Sequence, residues 1–212
     1  MSKQRRALGE LERVRRFVNT RQLAHGTERL LAPSDLADWL EQEGLAPAGV
    51  RVTRADLTRA LELREALRQV LAAHNGDRVA PTQAPAAALA SAVALASAAA
   101  LASASRTLDA AARRARLRLC FEEDGGASLH PEAAGVSGAF GRLLAIVHDS
   151  IAQGTWNRLK VCRDDECAWA FYDHTKNHSG AWCSMQRCGN RAKARAFRER
   201  QIATADKGAA HR

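Results

Sequence analysis

The chain has 212 residues, with 32 Lys and Arg against 23 Asp and Glu, for a formal charge of +9. That length allows one large domain, or one domain and a small module. Hydrophobic residues reach 46%, yet nearly half of them are Ala, and Leu, Ile, Val and Phe together fall just under a fifth of the chain. So low a fraction fits disorder or a thin-cored helical protein, and the placement of Ala in helix-permissive runs selects the second. The opening Met1-Ser2-Lys3-Gln4-Arg5-Arg6 is polar and leads into charged residues, unlike a secretory signal. Leu11, Val14, Phe17 and Val18 have helical spacing, and Asn19-Thr20 follows its apolar end. A second helix opens at Pro33-Ser34-Asp35 with Ser34 as N-cap, presents Leu36, Trp39 and Leu40, and stops at Gly44. Thr53 caps a third, whose face reads Leu57, Leu61, Arg64, Leu67/Arg68 and Leu71, ending near Asn75-Gly76.

A loop with Pro81 and Pro85 leads to residues 84–105, 22 residues without a charge and long enough to cross a bilayer. The segment is three hexads, ALASAV, ALASAA and ALASAS, in which only Leu89, Val93, Leu95 and Leu101 are strongly apolar. At a few tenths of a kcal/mol each on insertion scales, these do not suffice. Six residues advance a helix by about 600°, so the leucines point three ways. The reading is a water-exposed helix and no membrane partner. Residues 114–121 alternate with period 2, Leu117, Leu119 and Phe121 on one face of a half-buried strand. Asp124-Gly125-Gly126 then turns the chain so that 127–130 return as a hairpin partner. Cys120 falls opposite Leu119 as a small semi-buried residue with nothing to activate it. A helix over 136–151 carries Phe140, Leu143, Leu144, Val147 and Ile151 on one face, and Gly154 ends it. The expected class is α+β: a mainly helical domain with a small β-hairpin over residues 1–155.

Beyond residue 155 the chain changes character. Six of its ten aromatic residues and four of its five Cys lie there, and residues 158–212 carry +6 of the +9. The thiols read Cys162-x4-Cys167-x15-Cys183-x4-Cys188. Zinc takes four soft ligands at tetrahedral vertices, and two pairs of equal spacing supply them from two sides. Four thiolates close the shell, so one structural Zn2+ is expected, with no position left for a catalytic water. An odd Cys count with metal-like spacing argues against an oxidised secreted scaffold and for a reducing cytoplasm. His174 and His178 compete as ligands, but choosing them strands Cys183 and Cys188; they read as part of a polar turn, 173–180, within reach of phosphate. Trp169 and Phe171 share a face of a short strand and, with Trp182, pack beside the metal. Asn190 is the N-cap of an Ala- and Arg-rich helix on which Arg187, Arg191, Arg195 and Arg198 form one stripe, with Lys193 and Arg200 on its flanks. Such a stripe favours phosphate contact; an acidic protein partner and a plain solvated face are the alternatives. Residues 156–202 thus form a small zinc-finger module of short strands plus a basic helix, and 203–212 a flexible tail.

The run Trp182-Cys-Ser-Met-Gln-Arg-Cys-Gly-Asn-Arg-Ala-Lys-Ala-Arg195, with Leu159-Lys-Val-Cys162 and Phe171-Tyr-Asp-His-Thr-Lys-Asn177, resembles the bacterial CGNR zinc-finger family over about 158–200. The resemblance implies that Cys162, Cys167, Cys183 and Cys188 are the zinc ligands. Phe17-Val-Asn19-Thr20, Leu36-x-x-Trp39-Leu and Gly44-Leu resemble, more softly, the ABATE domain that precedes such fingers. The pair implies a stress-linked transcription regulator, not an enzyme, whose N-terminal domain senses a ligand. Asn19, Thr20 and Trp39 are the candidate ligand residues there, and Arg187, Asn190, Arg191, Lys193, Arg195, Arg198 and Arg200 the candidate DNA contacts. The expected partners are DNA, an unidentified small-molecule effector and a second copy in a homo-dimer. A protein-interaction adaptor using the basic finger, or a small-molecule-binding protein of the N-terminal domain, remain alternatives.

Overall fold

The computed structural model describes residues 6–75 and 85–209, with side chains described outside 85–93 and 202–209. The turn read at Gly76, the loop at Pro81 and residues 210–212 lie outside that range. The elements are α1 (Leu11–Val18), β1 (Arg21–Gln22), β2 (Thr27–Glu28), α2 (Pro33–Gln42), α3 (Arg54–Ala73) and α4 (Pro85–Ala115). They continue as β3 (Leu117–Phe121), β4 (Ala127–Pro131), α5 (Gly135–Ala152), β5 (Leu159–Val161), β6 (Ala170–Tyr172) and α6 (Asn190–Ala209). Each of the three described sheets is a two-stranded antiparallel pair. The α+β reading with helices dominant is borne out, and α6 runs past residue 202, where the sequence reading began a tail.

The helices start where local chemistry allows. The Thr53 hydroxyl accepts from the Asp56 N–H at 3.2 Å, while the Asp56 carboxylate accepts from the Thr53 N–H at 2.9 Å, a reciprocal capping box. At α2 the cap is Ala32 rather than Ser34. Pro33, preset for a first helical turn, begins the helix two residues earlier than a cap at Ser34 would, and Asp35 accepts from the Leu31 and Ala32 N–H groups at 2.8 Å. α3 is the spine: Leu57, Ala60, Leu63, Leu67 and Leu71 are buried, and it touches α1, α2, α4 and β5. Leu63, absent from the expected face, is buried, whereas Leu61 packs at the edge of the core.

Arg116, with φ 50°, ends α4 in the left-handed region and turns the chain into β3. β3 pairs β4 with Leu119 opposite Leu129. Among the described residues the hairpin is anchored at its base. A Cβ on Gly141 of α5 would sit 2.6 Å from Pro131 Cβ and 2.7 Å from Ala115 Cβ, so this glycine permits α5 to lie against the α4–β3 junction. Farther out the apolar face is uncovered among the described residues: Leu119 is 50% and Phe121 81% exposed, against the half-buried strand expected. Ile151, expected on the core face of α5, is 56% exposed, while its neighbour Ser150 is the buried residue of that last turn. No helix in the described residues is long and apolar enough to cross a membrane.

One apolar core joins Val14, Phe17, Leu36, Trp39, Leu67 and Leu143 to Trp156, Leu159, Val161, Ala170 and Tyr172. The β5–β6 pair therefore belongs to the same core as the helices, across the boundary that the sequence placed at residue 155. A second, small cluster holds Cys162, Cys167 and Cys188, with Trp169, Trp182 and Cys183 against it.

Candidate metal centre and basic helix

Two knuckles bring the thiols together. After β5 supplies Cys162, the N–H groups of Cys167 and Ala168 both donate to the Asp164 carbonyl, at 2.8 and 3.0 Å. Ala168, with φ 42°, reverses the chain into β6, and the Cys162 N–H donates to the Trp169 carbonyl at 2.9 Å. In the second knuckle the Cys188 and Gly189 N–H groups donate to the Ser184 carbonyl at 3.0 and 3.1 Å, so the turn Met185–Gly189 is wider than an α-turn. Its cap is the Ser184 hydroxyl, which accepts from the Arg187 N–H; Asn190, the expected cap, already stands inside the helical run. Gly189 lets the knuckle pack closely: a Cβ there would meet Met185 Sδ at 2.3 Å, displacing that side chain, and Trp182 Cδ1 at 3.2 Å.

All four sulfurs lie within 4.8 Å of one another. Cys167 and Cys183 are 3.6 Å apart, and Cys183 and Cys188 3.8 Å. A tetrahedron with zinc–sulfur bonds near 2.3 Å has edges of about 3.8 Å, so the spacing fits one zinc ion held by Cys162, Cys167, Cys183 and Cys188. Hydrogen bonding from Cys162 and Cys183 pulls the Cys167 thiol down to about 4, while the neighbouring Cys162 and Cys167 push Cys183 far up. A cluster that releases one proton readily and resists losing more is stabilised by a divalent cation, which lets all four ionise.

Beside the knuckles lies a buried ion pair that the sequence did not single out. Lys160 Nζ is 2.9 Å from Asp173 Oδ2, and Asp173 also accepts from the Thr175 N–H and hydroxyl and from the Gly180 N–H at 2.7–3.0 Å. Burial opposes its charge, but these donors, Lys160 first, hold the carboxyl well below its usual range. A Cβ on Gly180 would lie 2.7–2.9 Å from that carboxylate. Asp173 thus organises the 173–180 turn. His174 Nε2 hydrogen-bonds the Arg6 carbonyl at 2.8 Å and its ring packs at 4.8 Å from Tyr172. The carbonyl of His178 accepts from Lys160. Neither histidine belongs to the thiol cluster.

The arginine stripe is partly engaged. Arg191 Nε donates to Asp164 Oδ2 at 2.7 Å and Nη1 reaches Glu166 at 3.6 Å; Arg195 lies 3.9 Å from Asp164 Oδ1. Asp164 is buried within the first knuckle, so Arg191 and Arg195 face the metal centre rather than open solvent alone. Arg187, Asn190, Lys193, Arg198 and Arg200 are exposed. Sequence spacing gives no hint of Asp164, which meets α6 through the folding of the first knuckle.

Of the three N-terminal candidates, Asn19 alone bonds the finger among the described residues. Asn19 pairs with the main chain of Ala170, donating to its carbonyl and accepting from its N–H, both at 2.8 Å. Thr20 donates to the Phe17 carbonyl at 2.8 Å and accepts from buried Arg64 at 3.1 Å. Trp39 is buried, 5.1 Å from the Phe17 ring. Arg68, read from sequence only as part of the α3 face, donates to the carbonyls of Ala168 and Val18 at 2.7 and 2.5 Å. His74 bonds the Leu159 carbonyl at 2.7 Å, and Asn75 donates to that of Val161 at 2.8 Å. Asn19, unlike Thr20 and Trp39, also borders a groove of about 350 Å³.

Residues 12–153 match the family ABATE, described as "Putative stress-induced transcription regulator", and residues 158–201 match the CGNR zinc finger. No curated protein matches the chain. Both matches agree with the resemblances drawn from the sequence.

Proposed function

We propose a regulatory role from a plain premise: the chain belongs to the ABATE family and carries a CGNR zinc finger after that domain. The reading is a zinc-dependent, DNA-binding transcription regulator, non-enzymatic, in which the finger lays α6 on the duplex and the helical domain senses a ligand. The carrying observation is the cationic surface beside the thiol cluster. Arg187, Lys193 and Arg198 are exposed, and among the described residues their side chains have no carboxylate partner. Arg191 has a different role. Its bond to Asp164 fixes the start of α6 to the first knuckle, so it positions the helix, with Arg195 divided between that carboxylate and solvent. Zinc holds the knuckles, the knuckles hold Arg191, and α6 is aimed as a result.

Phosphate contact makes a quantitative demand. If Arg187, Lys193 and Arg198 each neutralise one phosphate, log affinity for duplex DNA falls against log salt with a slope near −2.7. Titration of zinc-loaded, full-length protein onto duplex DNA across a salt series reads it. A slope close to zero, or no duplex binding, contradicts the reading. Nuclease-resistant capture of an acidic protein through the same three cations would replace DNA with a protein partner.

A further inference from the structure

The groove beside Asn19 lies between α1, the β1–β2 hairpin and Trp169 of the finger, and its walls carry four guanidinium groups against one carboxylate. The charges do not cancel locally. Glu12 is occupied by buried Arg15, through bonds of 2.7 and 2.5 Å, and by the Ala7 N–H at 2.8 Å. Arg16 is shared between Glu43 at 3.1 Å and Glu12 at 3.7 Å. The side chains of Arg6 and Arg29 have no carboxylate partner among the described residues. A concave wall of one sign focuses potential, and the planar fork of Arg matches phosphate and carboxylate oxygens two at a time.

We propose that this groove is a binding site for a small organic anion bearing phosphate or carboxylate groups, held by Arg6 and Arg29 and seated against Trp169. The inference rests on the ligand-sensing part of the function above and gives the ligand its chemical class. It also gives a route to the finger. Trp169 lies between Ala168, whose carbonyl Arg68 holds, and Ala170, whose main chain Asn19 holds. It also packs against the thiol cluster two residues after Cys167. An anion in the groove therefore touches the side chain that joins the helical domain to the metal centre.

The test uses full-length, zinc-loaded protein, with inorganic phosphate, glucose 6-phosphate and succinate as probes. Tryptophan fluorescence and thermal melting are followed while bound zinc is assayed separately. At least one probe should bind saturably, and the same probe should bind at least about tenfold more weakly to the doubly substituted Arg6→Gln, Arg29→Gln protein. A second variant, Arg187→Gln with Arg198→Gln, should bind it like the parent, which keeps the basic helix out of the result. Undiminished binding to the Arg6/Arg29 variant, with its circular dichroism unchanged, overturns the site. Absence of saturable binding by all three anions overturns the ligand class. Stabilisation by a neutral metabolite alone overturns this inference while leaving ligand sensing intact.

Discussion

Asp173 and Lys160 form the buried pair on which the turn beside the metal centre depends. Removing one partner of such a pair leaves an uncompensated charge, and Asp173→Ala should cost about 3–5 kcal/mol, read as a lowered denaturant midpoint with zinc present. His74 carries a pH signature of its own. Burial lowers its pKa in the folded chain from a reference value of 6.5, so below that value the unfolded chain takes up a proton more readily and stability falls. Between about pH 7.5 and 5.5 the parent should lose more stability than His74→Gln; equal losses would show that His74 does not titrate this way. Neither role is legible from sequence. Lys160 sits in a strand and Asp173 in a polar turn 13 residues on, and only the β5–β6 pairing brings them together. The zinc ligands, in contrast, were readable because a metal site writes its geometry into local spacing, two short loops of equal length.

At the level of elements, caps and close approaches decide where helices begin and how near they lie. Thr53→Ala should cost about 1 kcal/mol, whereas Ser34→Ala should be nearly neutral because Ala32 and Asp35 already serve that end of α2. Paired chemical denaturation separates the two, and equal costs would contradict the assignment. Gly141→Ala overpacks the contact with Pro131 and Ala115 and should destabilise by about 1–3 kcal/mol. The β3–β4 hairpin shows what periodicity cannot supply. Alternation correctly placed Leu117, Leu119 and Phe121 on one face, but it carries no information about what lies above that face. Here α5 covers only the base. In the same way, the spacing of α3 put Leu61 on the core and omitted Leu63, since helices on more than one side of α3 widen its buried arc.

Across the whole molecule, the finger is built into the helical domain rather than strung after it. Trp156, Leu159, Val161, Ala170 and Tyr172 complete the main core, and Asn19, Arg68, His74 and Asn75 bond the β5–β6 backbone along its length. Composition alone divided the chain at residue 155 because charge, aromatics and thiols shift there, while the apolar residues that cross the division are too few to register. Metal removal should accordingly lower the melting temperature of the whole chain and not merely release residues 162–188; an unchanged main transition after chelation would argue against that coupling. The same continuity would let the proposed anion in the Arg-lined groove bear on Trp169 and so on the finger. The central claim is that zinc fixes α6 so that Arg187, Lys193 and Arg198 meet phosphate. Its most direct measurement compares duplex DNA binding by zinc-loaded parent and by Arg187→Gln, Lys193→Gln, Arg198→Gln protein at one salt concentration, with zinc content and melting temperature matched. The triple variant should bind at least tenfold more weakly on every duplex sequence and lose most of the salt dependence; equal affinity and an equal salt slope would contradict the account.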